Sequence, residues 1–328
     1  MLPHKVILDD NTMNIWHLTD HKAGHVAQAR GLFVALERCG VNVKVLDISV
    51  SEIFNFALMM HFLSCGLIGQ LPPSSDGQPA PDLIVGVGHA THWPLILLKK
   101  CFPQAKSIVL MRPTLPVSWF DFAIIPAHDY VDAEPKVPDN VFISKGVLNP
   151  LTNEHRHEKN RHLILIGGAS KRYAYSEESL IAQIQALLAN LSKKEQLQTA
   201  ILTTSRRTPT LLLEHQFFQN KPQNLQIFPV TETPAGWLFE QLQLAEVVWV
   251  TQDSGSMLFE ALTAGCRVGL LAMSQIKKDT VTRATDLLSE QRFFLPLNAY
   301  LENEKFQDTP ALQEANRAVN WLLTKINV

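Results

Sequence analysis

The sequence predicts an α/β protein made of two Rossmann-like domains facing a cleft. Three observations lead there. Short apolar runs alternate with stretches of helical periodicity, the signature of parallel sheets with helices on both faces. The alternation occurs twice, in halves of similar length, on either side of the polar stretch LNPLTNEHRHEKNRH at 148–162, which reads as an interdomain linker. The chain has 328 residues, 46% hydrophobic and 18% charged, enough apolar material for two cores. The expected domains are 1–150 and 160–309, with a last helix at 310–326 crossing back onto the first.

In the first half the strand candidates are Asn14–Leu18, Val41–Ile48, Asp82–Val87, Ser107–Met111, Phe122–Ile125 and Val141–Ser144. A helix at 25–38 follows the first strand, with Val26, Ala29, Leu32, Phe33 and Leu36 on one face and Gly40 after its end. In the second half the strands are His162–Ile166, Thr199–Leu202, Leu225–Phe228, Val247–Val250 and Val268–Leu271. Helices are expected near 176–191, 208–219, 234–243, 255–264 and 279–290. The last helix carries Leu312, Ala315, Ala318, Val319 and Leu322 on one face.

Bulk properties exclude several classes. A net charge of −2 is no basis for nucleic acid as a partner. Cys39, Cys65, Cys101 and Cys266 are scattered with no C-x-x-C pair, which argues against a disulfide framework or zinc and fits a reducing compartment. MLPHKVILDD lacks the apolar core of a signal peptide, so the expected location is the cytoplasm. Ile53 to Ser75 contains no Asp, Glu, Lys or Arg; Asn55, His61, Ser64, Gly66 and Gly69 interrupt it. It reads as a buried helix or as a peripheral contact with the inner face of a membrane, not as a span. His155-Arg156-His157 reads as linker, with no further ligand nearby for a metal.

Ligands of parallel α/β sheets bind beyond the carboxyl ends of the strands, so the strand exits carry the functional argument. Gly167 and Gly168 follow one strand and permit a tight turn and close approach; Ser170, Lys171 and Arg172 come next. Ser205, Arg206 and Arg207 follow another. TQDSGSMLFEALTAG follows a third: Asp253 precedes Ser254, an N-cap candidate, Gly255 and Ser256 form the first helical turn, and Gly265 ends the helix. Glycines, hydroxyls, arginines and a free helix N-terminus suit a diphosphate. Glu260 lies one turn past Ser256 and suits a ribose diol, or else pairs with an arginine of 205–207. There is no D-x-D pair to hold a divalent cation, the nearest being Asp132-Ala133-Glu134. Arginine and helix N–H groups are then left to stabilise a departing diphosphate, with no metal and no cofactor beyond the nucleotide-diphosphate sugar itself. A G-x-x-x-x-G-K-[ST] loop is absent, which disfavours triphosphate hydrolysis.

In the first domain, Asp20, Gly24, His25 and Gln28 cluster where the first strand meets its helix. His25 is the general-base candidate, with Asp20 assisting it. His89 and Thr91 are expected exposed at the exit of Asp82–Val87, and His128 and Asp129 follow Phe122–Ile125 as groups for acceptor hydroxyls.

These stretches together resemble one family: the plant mitochondrial fission factor named for elongated mitochondria, with bacterial relatives described as outer-core glycosyltransferases. The resemblance rests on DHKAGHVAQARGL, PDLIVGVGHATHW, FDFAIIPAHD, NVFISKGVLNP, LILIGGAS, TTSRRTP and VTQDSGSMLFEALTAG, in the family's order over roughly 15–285. It implies a glycosyltransferase B-like architecture and nucleotide-sugar binding in the second domain. One departure is His89, where the family pattern leads to an arginine. The resemblance leaves three readings open. One is transfer from a nucleotide sugar to a lipopolysaccharide-core or other lipid-linked (glycolipid or oligosaccharide) acceptor. The others are a nucleotide-sugar epimerase and a non-catalytic membrane-associated adaptor.

Overall fold

Runs of three to nine mostly apolar residues, each too short for a helix and closed by turn residues, form two parallel sheets of six strands. The computed structural model describes residues 12–53, 77–130, 136–194 and 198–326. The chain divides into two units, 1–150 with 314–328 and 151–313.

In the first unit, β1 (Met13–Thr19), β2 (Val43–Ser49), β3 (Leu83–Val87), β4 (Lys106–Leu110), β5 (Phe122–Pro126) and β6 (Val141–Ser144) align in the order β2-β1-β3-β4-β5-β6. Side chains alternate between faces, so each strand feeds two cores. Ile15, Val85, Ile108 and Ile124 pack with Leu32 and Leu36 of the helix Ala23–Arg38 and with Val319 and Leu322 of the helix Glu314–Ile326. Trp16, Ile84, Val109 and Ala123 face the other way, onto Leu95 and Leu98 of the helix His92–Cys101. Glu314, 4% exposed, anchors the returning helix. Its Oε2 accepts the Lys145 N–H at 2.7 Å, and Arg317 Nη1 donates to both its carboxylate oxygens at 2.7 and 2.8 Å.

The second unit repeats the plan with β7 (Glu158–Ile166), β8 (Tyr173–Ala174), β9 (Thr199–Thr204), β10 (Leu225–Phe228), β11 (Ala245–Thr251), β12 (Arg267–Leu271), β13 (Ser274–Gln275) and β14 (Phe294–Pro296). The main sheet runs β10-β9-β7-β11-β12-β14, and β8 pairs antiparallel with β13 as a small ribbon. Ile164, Leu202 and Trp249 pack on Ile184 and Leu188 of the helix Glu177–Ser192.

Two local expectations are corrected. The stretch 148–162, which contains the division between the units, is not solvated throughout: Leu148, Asn149 and Leu151 are 2, 4 and 8% exposed, and β7 already begins at Glu158. The helix expected at 208–219 is broken into a 3-10 turn, Thr210–Glu214, and one helical turn, Gln216–Gln219. His215 between them is extended (ψ 140°), and its Nδ1 accepts the Phe217 N–H, so it starts a new element. Most of Ile53–Ser75 and all of Asp132–Glu134 lie outside the described residues. Among the described residues no helix is long and apolar enough to cross a membrane.

Candidate functional site

In a parallel sheet the place where successive connections turn to opposite sides leaves a crevice at the carboxyl edge. In the second unit that place lies between β7 and β11, whose exits carry Gly167-Gly168 and Asp253-Ser254. The glycine pair lets these exits touch. A Cβ on Gly167 would overlap Ser254 Oγ and both Asp253 carboxylate oxygens; one on Gly168 would overlap the Arg207 carbonyl. The close approach expected of the pair is thus taken up by the protein's own loops. Gly167 N–H donates to Thr251 Oγ1 at 2.8 Å, and Gly168 N–H to Asp253 Oδ2 at 3.1 Å.

Of the two arginines after β9, only one is free. Arg207 Nη2 lies 2.6 Å from Asp253 Oδ2 and donates to Ser254 Oγ at 3.2 Å; the Asp253 side chain is fully buried. Arg207 and Asp253, both expected to face the nucleotide, are instead an internal clamp tying the β9 exit to the β11 exit. A buried carboxylate needs a compensating cation, and Arg207 is the one in reach. Arg206 is exposed and makes no hydrogen bond or ion pair among the described residues. The turn that presents it is held by hydroxyls: Ser205 Oγ accepts the Arg207 N–H at 3.2 Å, and Thr208 Oγ1 accepts the Ser205 N–H at 2.8 Å while lying 2.9 Å from the Ile166 carbonyl. Thr208 and Thr251 escaped the sequence reading because each acts on backbone far away along the chain. Ser170 and Arg172 are likewise engaged: Ser170 Oγ accepts the Tyr173 N–H at 3.0 Å, and Arg172 pairs with Asp279 at 2.8 Å.

Ser254 occupies the N-cap of the helix Gly255–Ala264, yet its side chain makes no capping bond. Its hydroxyl is drawn to Asp253 Oδ2 at 3.1 Å, so the positive end of the helix is left to another acceptor. Gly255 and the exposed Ser256 form that first turn. One turn on, Glu260 is half-buried and makes no hydrogen bond or ion pair among the described residues, so the pairing with an arginine of 205–207 is absent. Burial pushes its carboxyl up to about 7 from an ordinary 4.5. The folded state therefore holds this proton more tightly than the unfolded chain. Its carboxylate costs stability as pH rises from about 4.5 through about 7, and the cost is complete above that. Glu260→Gln is expected to stabilise the protein at pH 8 by roughly 3 kcal/mol, one pKa unit being about 1.4 kcal/mol, and to change almost nothing at pH 4. Thermal denaturation of both proteins at the two pH values checks this; equal gains at both remove the electrostatic account.

In the first unit the corresponding crevice lies between β1 and β3. Asp20, its side chain 7% exposed, accepts from Lys22 Nζ at 2.8 Å and sits 2.9 Å from His25 Nδ1. Burial pushes the Asp20 carboxyl up, but hydrogen bonds from Lys22 and His25 outweigh it and hold it below the ordinary value. With Nδ1–H committed to Asp20, the free lone pair of the His25 ring is on Nε2. The ring lies over Gly88, which has φ +79° and where a Cβ would overlap Cε1. Gly24 is exposed, while Gln28 turns to the buried face of the helix, 7% exposed. His89 is exposed, its ring centroid 5.6 Å from that of His92. Thr91, expected exposed, is fully buried: its hydroxyl donates to the Gly88 carbonyl at 2.8 Å and fixes that turn. His128 is buried with Nε2 3.9 Å from Asp129 Oδ1, and burial pushes the Asp129 carboxyl up despite His128 and Arg112. His21 and His92 went unnoticed in the sequence. His21 Nε2 meets Ser49 Oγ at 3.2 Å, and His92, 1% exposed, is pushed down to about 4 by burial and then by His89.

The model of the family described as Mitochondrial fission ELM1 matches residues 23–326. Uncharacterized protein RP120 of Rickettsia prowazekii (strain Madrid E) is 26% identical over 293 residues, 77% of this chain and 81% of its own length. Among solved structures, a Listeria monocytogenes protein named as a "putative UDP-N-acetylglucosamine 2-epimerase" is 12% identical with a TM-score of 0.53, over 96% of this chain and 97% of its own. MurG of Acinetobacter baumannii is 13% identical with a TM-score of 0.52, over 95 and 99%. A UDP-glucosyltransferase of Polygonum tinctorium is 10% identical with a TM-score of 0.51, over 97 and 98%. At such identities the likeness is one of fold, the glycosyltransferase B-like pairing of two Rossmann-like units in one chain.

Proposed function

The chain belongs to the mitochondrial fission ELM1 family, and from that premise we propose that it is a glycosyltransferase that takes its sugar from a nucleotide-diphosphate sugar. The observation that carries the reading is the group at the β9 and β11 exits: an exposed Arg206, a helix N-terminus at Gly255-Ser256 with no side-chain cap from Ser254, and a Glu260 one turn further that has no partner among the described residues. A diphosphate meets the first two and a ribose diol the third. The names of the solved neighbours, two of which mention UDP compounds, point the same way.

In the reaction the acceptor hydroxyl gives its proton to His25 Nε2, with Asp20 orienting the ring. The acceptor oxygen bonds to the anomeric carbon as the bond from that carbon to the phosphate oxygen breaks. The nucleoside diphosphate leaves with the electron pair, stabilised by Arg206 and the helix N–H groups. These groups provide the positive charge that a divalent cation provides elsewhere, so the proposal invokes no metal. Support for a lipopolysaccharide-core or lipid-linked acceptor comes from the family resemblance and from the charge-free stretch 53–75, suited to a membrane surface.

The test is thermal denaturation with a panel of nucleoside mono- and diphosphates, with and without EDTA, followed by donor turnover with and without a saccharide acceptor. A selective diphosphate shift that survives EDTA, with turnover that needs acceptor, is expected. His25→Ala should keep the shift and lose turnover by about 100-fold or more. Conversion of the donor without acceptor makes the protein an epimerase. Absence of any nucleotide shift leaves the adaptor reading.

A further inference from the structure

The strand exits occupy only one edge of the second sheet. At the opposite, amino-terminal edge lies a cavity of about 180 Å³, lined at the starts of β12 and β14 by Arg267, Phe293 and Phe294 and closed by Arg292, Lys305 and Phe306. It runs along β14, the edge strand, and none of the residues at the β7, β9 and β11 exits lines it. It is no part of the nucleotide site.

Its chemistry is divided. Part of the lining is apolar and well packed: Phe293, Phe294 and Leu295 are 9, 6 and 5% exposed. The rim is mostly cationic. Arg267 is held by Glu246 at 3.2 Å and Asp308 at 3.3 Å, whereas Arg292 and Lys305 are exposed and have no partner among the described residues. Glu304 is the one carboxylate in the lining. Arg292 also sits where glycine is the usual residue. It follows the helix Thr280–Glu290 with φ +58°, its N–H bonded to the Ser289 carbonyl at 2.9 Å and the Phe293 N–H to that of Leu288 at 2.9 Å. That is a helix stop in which a side chain is disfavoured. An arginine in such a backbone, at the mouth of a cavity with phenylalanines in its lining, is the combination expected of a binding residue.

We propose that this cavity binds a small organic anion, a carboxylate or phosphomonoester on a single ring or short apolar chain. The apolar body would lie on Phe293, Phe294 and Phe306, and the head would meet Arg292 and Lys305. The size agrees, since a cavity of about 150 Å³ holds one benzene ring. The charge agrees because guanidinium pairs well with carboxylate and phosphate. This site is independent of the nucleotide reading.

The test titrates the full chain with benzoate, phenyl phosphate and the neutral isostere benzyl alcohol, by ligand-observed NMR and calorimetry. Both anions are expected to bind saturably, about tenfold or more tighter than benzyl alcohol. Arg292→Gly should weaken them about tenfold while the thermal midpoint holds or rises, because glycine suits the backbone there. Lys305→Met should weaken them too, and Arg206→Ala should leave them unchanged. The proposal is overturned by equal binding of benzoate and benzyl alcohol, by full affinity in Arg292→Gly, by loss of binding in Arg206→Ala, or by no saturation up to about 10 mM.

Discussion

Arg206→Ala is expected to weaken nucleoside diphosphate binding by about 10- to 100-fold and leave the thermal midpoint where it was; Arg207→Ala is expected to lower the midpoint. The two residues are adjacent and chemically identical, so the contrast isolates geometry. Arg206 is exposed with no partner among the described residues, and its removal costs the fold nothing. A charge-assisted hydrogen bond to phosphate contributes about 1.5–3 kcal/mol, which sets the size of the loss. Arg207 neutralises Asp253, whose side chain is fully buried. Removing one partner of a buried pair costs about 3–5 kcal/mol; because Arg207 itself is 44% exposed, about 2–3 is the figure to expect here. Calorimetric titration with nucleoside diphosphate and thermal denaturation of both variants decide it. Wild-type affinity in Arg206→Ala would return that arginine to the ordinary surface and take the diphosphate site with it.

Gly168→Ala is expected to be among the most damaging conservative changes in the chain. The added methyl would fall on the Arg207 carbonyl and reach within 3.0 Å of the Thr208 nitrogen. These are backbone atoms held by the hydroxyls of Ser205 and Thr208, so no side chain can swing aside. A cost of about 3 kcal/mol or more follows, or roughly 6–12 °C in the midpoint of a unit this size. Gly255→Ala is the control: its Cβ would meet nothing within 4 Å, so the same methyl at the first helical turn should be neutral or slightly stabilising. Equal midpoints for the two variants would mean that the β7 and β9 exits do not touch as described.

The strands were legible because each is an apolar run that a period of two sorts onto two packed faces, as with Ile15 and Trp16. The helix Ala23–Arg38 was legible from its apolar stripe. The helix His92–Cys101 was not, since HWPLILLKKC is nearly all apolar and carries Pro94 in its first turn, which leaves little periodic contrast. β14 and the β8–β13 ribbon are too short to show a period. At the candidate site, residue types pointed to the strand exits, but the division of roles among them did not follow from residue type. Which arginine is free depends on Asp253, 46 positions beyond Arg207 and brought to it only by the order β9-β7-β11. Thr91 failed for a related reason: a hydroxyl after a strand looks available until its acceptor, the Gly88 carbonyl, is known.

The helix Glu314–Ile326 belongs to the first unit but follows all of the second in the chain. The earlier-made strands must wait for Ala318, Val319 and Leu322 to cover Ile15, Val85 and Ile108. At about 5–20 residues per second that wait lasts on the order of ten to thirty seconds. The nascent polypeptide therefore holds an uncovered greasy surface on its first-made strands throughout translation of its other half, and this interval is when a chaperone has something to grip.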